Sequence, residues 1–146
     1  MYECYMALEN LELYALIRST SVKCYEVSNY LKNKREFNLA DQLSRAALSI
    51  GNNFAEGYGR GATGERLMLM FYAEGSTQEC KNCILAAADC KFIDELLSKE
   101  LCALLGRISI GIIEFCAWIL KIDPAYQGSY RERVEIRRSW RNKKRK

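Results

Sequence analysis

The chain has no histidine among its 146 residues. That absence removes Ser-His-Asp and Cys-His catalysis and every imidazole metal site. Proline occurs once, at Pro124, so nothing in the first 123 residues is barred from a helix by a fixed φ or a missing N–H. Met1–Asn10 has no basic segment followed by an apolar one, so no secretory signal is expected. The longest apolar stretch near the C-terminus, Ile108 to Ile122, is interrupted by Glu114 and Lys121 and reads as too short and too broken to span a bilayer. These absences predict a non-enzymatic helical domain without a cofactor and without a membrane partner.

The charge is unevenly placed. The net of +4 divides into a segment at 131–146 with nine Lys or Arg against Glu132 and Glu135, and a remainder with 13 basic and 16 acidic side chains. A body of net −3 therefore carries a tail of net +7, which points to a polyanionic partner. Seven cysteines, at 4, 24, 80, 83, 90, 102 and 116, with no signal segment imply a reducing cytoplasm and free thiols. Cys80-Lys-Asn-Cys83 is a lone CxxC inside a helical pattern. A zinc site needs a fourth ligand and usually a second pair, so small core hydrophobes are expected and no metal.

Periodicity predicts four helices, over about Leu13–Lys32, Leu39–Tyr58, Glu65–Phe92 and Ser98–Lys121. The first has its apolar stripe at Leu13, Leu16, Ile17, Cys24, Val27 and Leu31. The fourth has Leu101, Leu104, Leu105, Ile108, Ile112, Phe115 and Ile119. The glycines between Gly57 and Gly64 are expected to take positive φ and close the second helix, with Thr63 as N-cap of the third. Gly75 within the third helix suggests a close helix approach. No strand pattern competes. An all-α, antiparallel up-down four-helix bundle over 1–124 with a basic extension over 125–146 is the simplest arrangement.

The second helix also bears a polar stripe, Gln42, Arg45, Ser49, Asn53 and Glu56, beside the apolar stripe of Leu39, Leu43, Ala46, Ile50 and Phe54. A matching row on the third helix holds Arg66, Ser76 and Glu79. A structural seam between the helices accounts for these residues better than chemistry does. The only paired carboxylates are Glu56 and Glu79, with nothing to set one apart as acid and the other as base.

Two segments carry a family resemblance. Leu39-Ala-Asp-Gln-Leu-Ser-Arg-Ala-Ala-Leu-Ser-Ile-Gly-Asn-Asn-Phe-Ala-Glu-Gly-Tyr-Gly-Arg60 resembles the signature of the four-helix bundle proteins encoded in intervening sequences of bacterial 23S rRNA genes. Tyr72-Ala-Glu-Gly-Ser-Thr-Gln-Glu79 resembles their second signature, and Asn10-Leu-Glu-Leu-Tyr14 their opening. The resemblance covers about residues 9 to 122. It implies a homopentameric ring and a link to the accessory variability proteins of diversity-generating retroelements, which bind a reverse transcriptase and its template RNA. Gly51 stands where the family often has proline, and the chain runs some 24 residues past the usual end.

That extension interleaves Tyr126, Tyr130 and Trp140 with its cations. Arginine makes bidentate phosphate contacts and stacks on bases, and aromatic rings offer further stacking platforms. Arg131, Arg133, Arg137, Arg138, Trp140, Arg141, Lys143, Lys144, Arg145 and Lys146 are the expected RNA-binding residues. Positions 126, 130, 134 and 137 share one face if the segment is helical. Two other readings stay open: docking on an acidic protein surface without RNA, and a membrane-surface helix. The last is weakest, because its apolar side chains Tyr130, Val134, Ile136 and Trp140 form no continuous face.

Overall fold

The computed structural model describes residues 7–143. Among them are a 3-10 turn at Leu8–Asn10 and five α-helices, with no strand: α1 Glu12–Asn33, α2 Phe37–Gly59, α3 Thr63–Asp89, α4 Glu95–Ile122 and α5 Tyr130–Lys143. The α2–α3 interface is the most extensive, α3 packs on α4, α1 packs on α2, and α1 also meets α4. The core between them follows the helical periodicity of the sequence. Ile17, Cys24, Val27 and Leu31 of α1, Leu43, Ala46, Ile50 and Phe54 of α2, and Leu101, Leu105, Ile108, Ile112 and Ile119 of α4 are all buried. Leu13, Leu16, Leu39, Leu104 and Phe115 pack at its margin. Burying each large aliphatic chain contributes about 1.5–3 kcal/mol, so these stripes set the helix orientations.

The helix ends depart from expectation. No glycine has positive φ; Arg35 (φ 65°) and Lys91 (φ 63°) do instead. Each closes the helix before it in the same way. Arg35 N–H donates to the Lys32 carbonyl and Glu36 N–H to that of Leu31. Lys91 N–H donates to Ala88, and Phe92 N–H to Ala87. These are Schellman closures built with non-glycine residues, a choice that glycine counting misses. Thr63 does not cap α3, because the N-cap is Ala62. The Thr63 hydroxyl donates 2.6 Å to Asp123 Oδ2 at the far end of α4. The side-chain cap lies on α4, where Asp94 Oδ1 accepts from Leu97 N–H at 2.7 Å and starts the helix earlier than its apolar stripe suggests.

Gly75 is not at a close approach: a Cβ there meets nothing within 4 Å. At the α2–α3 contact the tight position is Gly57, where a Cβ would lie 3.0 Å from Leu69 Cβ, 3.0 Å from Met70 Cε and 3.3 Å from the Arg66 carbonyl oxygen. Gly57→Ala is therefore expected to destabilise by about 1–3 kcal/mol through overpacking. Gly75→Ala should stabilise by up to about 1 kcal/mol through helix propensity. Urea unfolding of the two variants checks the pair, and equal effects would contradict this placement of the α2–α3 contact.

Within the 28-residue α4 lies an 18-residue window of mean hydropathy 1.8, long and apolar enough by length and composition to cross a membrane. The apolar stretch from Ile108 understates this helix, which begins at Glu95 and fills the core with its inward stripe. Core helices pass the same length-and-composition test.

Candidate nucleic-acid interface

The basic extension forms α5, which lies on α4 and touches α3. Its route is fixed first. The Tyr126 ring lies over Gly64, 3.5 Å from where a Cβ would stand. Arg131 then gathers the linker: its Nε donates 2.9 Å to the Tyr126 carbonyl, and its Nη2 reaches those of Pro124 (3.1 Å) and Asp123 (3.4 Å). Beyond this clamp, the Tyr130 ring stacks on Phe71 of α3 at 5.4 Å, and Val134 is buried at 1% exposure. The shared face of 126, 130, 134 and 137 is therefore the inward face.

Charge holds the distal half. Arg137 Nη2 lies 3.0 Å from Glu74 Oε2, and the Glu74 side chain is only 3% exposed. Its other oxygen, Oε1, accepts from Gln78 Nε2 at 2.8 Å and from Ser109 Oγ at 3.0 Å. A buried carboxylate needs such donors to offset its lost hydration. Glu114 of α4 takes both Arg138 (3.2 Å) and Arg141 (2.7 Å). Four of the expected RNA ligands, Arg131, Arg137, Arg138 and Arg141, thus spend guanidinium contacts within the chain.

The outward face is different. Arg133, Ile136, Trp140 and Lys143, spaced by three or four, form one exposed stripe. Arg133 lies over the Tyr130 ring at 5.2 Å, and Arg137 over the Trp140 ring at 5.5 Å. Trp140 is 55% exposed. Lys144, Arg145 and Lys146 lie outside the described residues.

The polar seam joins α2 to α3 at two points. Gln42 donates to Glu79, and the Ser49 and Ser76 hydroxyls meet at 2.8 Å. Asn53 Nδ2 donates to Ser49 Oγ and to the Ser49 carbonyl, both at 2.9 Å. Arg45 donates 3.1 Å to Gln42 and pairs with Asp41. Glu56 stands apart from this network and pairs with Arg60 on the solvent side. Arg66 is buried and lies over the Trp118 ring at 5.9 Å. Glu74, in the second signature segment, is the residue sequence reasoning missed; its signal is an acidic residue one turn after the apolar Met70 and Phe71.

Cys80 and Cys83 lie in the core and Cys90 is exposed at the end of α3. Burial pushes the Cys116 thiol up to about 12 and raises Cys83. A hydrogen bond with Cys24, followed by burial, raises Cys80. The thiolate is the reactive form. Among the described cysteines, an alkylating reagent near neutral pH is expected to label Cys90 first and Cys102 more slowly, leaving Cys24, Cys80, Cys83 and Cys116 until unfolding. Peptide mass spectrometry reads the order, and early labelling of Cys80 would contradict the packing of α3.

The class this architecture defines is an all-helical protein whose long helices share one core and carry a docked cationic helix. The 23S rRNA-intervening sequence protein family model matches residues 9–113, so the chain belongs to that family. Its fold is similar to that of a crystal structure from Bacteroides thetaiotaomicron, a protein of unknown function from the S23 ribosomal protein family. The TM-score is 0.68 at 15% identity, covering 71% of this chain and 97% of the other. No curated protein matches the sequence. The family match ends before α5 begins.

Proposed function

We propose that this protein is a non-enzymatic RNA-binding scaffold, a four-helix bundle that displays α5 as its nucleic-acid surface. The observation that carries this reading is the exposed stripe of Arg133, Trp140 and Lys143 on a helix anchored by Val134 and Glu74. A docked helix presents its cations and ring without the ordering cost a free tail meets on binding. The bundles assemble as a homopentamer in a cytoplasmic setting. The RNA is an rRNA or the template of a diversity-generating retroelement, with a reverse transcriptase as the protein partner in the second case. These finer assignments rest on the family resemblance. Exposed Val22, Leu48, Leu96 and Ile110 supply apolar surface for subunit contacts.

Retention of labelled RNA on a filter by the full chain, and its loss when the chain is cut after Ala125, is the direct test. A protein complex captured equally well after nuclease treatment, with no RNA retained, would favour the competing reading of a protein-interaction ring. Native mass spectrometry reads the subunit number.

A further inference from the structure

We infer that the outward face of α5 selects single-stranded nucleic acid by stacking an unpaired base on Trp140 beside Arg137; this rests on the RNA-binding reading above. Arg137 has two roles in one position. Its Nη2 is held at 3.0 Å by Glu74, while its guanidinium carbon lies 5.5 Å from the Trp140 ring centroid. Glu74 is itself fixed by Gln78 and Ser109, from α3 and α4. The chain from the buried carboxylate to the indole is therefore continuous, and Trp140 keeps more than half its surface open.

A flat ring oriented by a fixed cation is a platform for another flat ring. Every base has a π-face, so the platform tolerates any sequence. In a duplex those faces are occupied by neighbouring base pairs, and the platform is reachable only at ends or bulges. Arg133, two turns before, and Lys143, one turn after, lie on the same exposed stripe, where they reach the phosphates either side of the stacked base. Glu74 is a positioning residue here: it touches no nucleic acid and acts through Arg137.

The test uses the full-length protein and a labelled RNA of about 10 nucleotides, single-stranded or annealed to its complement. The single strand is expected to bind at least about tenfold tighter than the duplex. Trp140→Leu should lose about tenfold in single-strand affinity with no change in the salt slope, and Trp140→Phe should keep most of it. Glu74→Gln removes a negative charge, so simple attraction predicts tighter binding; loss of Arg137 positioning predicts binding several-fold weaker. Equal affinity for duplex and single strand, an unaffected Trp140→Leu, or tighter binding by Glu74→Gln would each overturn the inference while leaving RNA binding by the tail intact. A Trp140 effect on anionic vesicles but not on RNA would also overturn it. Failure of the unmodified protein to bind any RNA would overturn the functional reading and this one together.

Discussion

Val134→Asp is expected to release α5 from the body and to lower stability by about 3 kcal/mol, the sum of a lost valine burial and a carboxylate placed where water is excluded. Val134 is 1% exposed and is the one buried residue of its helix, between the Tyr130–Phe71 stack and the Arg137–Glu74 pair. The loss has a ceiling. Once the helix undocks, the introduced carboxylate reaches solvent, and the cost cannot exceed the free energy that held α5 in place. Glu74 is then uncovered and rehydrates, which limits the penalty of breaking its pair. Trypsin supplies the local readout, because Arg131, Arg133, Arg137, Arg138 and Arg141 all lie in the released segment. The variant should be cut there quickly while the body survives. A variant as resistant as the parent would show that α5 is held by charge alone.

The second large effect is on RNA affinity and its salt dependence. Nine cations lie in 131–146. If all nine reached phosphate on a single strand, the log–log salt slope would be about −6. The docked helix does not offer all nine. Arg131 is spent on carbonyls, and Arg137, Arg138 and Arg141 face Glu74 and Glu114. Arg133 and Lys143 remain among the described residues; with Lys144, Arg145 and Lys146 counted from the sequence, five cations give a slope of about −3.5. Between about 50 and about 200 mM salt that amounts to roughly a hundredfold loss of affinity. The slope therefore reports whether α5 stays docked while RNA is bound. In Val134→Asp, where the arginines are released, it should steepen toward the larger value.

Sequence periodicity locates the helical body most clearly through α1, α2 and α4, each with one apolar stripe that helical spacing reveals, whereas α3 buries Arg66, Glu74, Ser76 and Thr77 among its apolar side chains. Ile17, Phe54, Leu105 and Ile112 are buried as that spacing requires. Most of the seam is equally legible: Ser49 meets Asn53 and Ser76, and Gln42 meets Glu79 and Arg45, because residues three or four apart share a face. Glu56 is on the right stripe, yet Arg60 one turn later offers a nearer partner.

What sequence could not show is where the cations of the extension point. An Arg-rich run has the same composition whether its guanidinium groups meet phosphate or Glu74. That carboxylate lies 63 positions earlier in the chain than Arg137. The positive-φ positions are hidden for a related reason. Arg35 and Lys91 take a conformation that glycine usually fills, and only the helix-end hydrogen bonds reveal it.

The central claim is that α5 binds RNA from its docked position. It is tested most directly by a salt titration of single-stranded RNA binding to the full chain and to the chain cut after Ala125. The full chain is expected to bind with a slope of about −3.5, and the cut chain to lose at least about a hundredfold in affinity at about 50 mM salt. Equal affinity and equal slope for the two chains would contradict it.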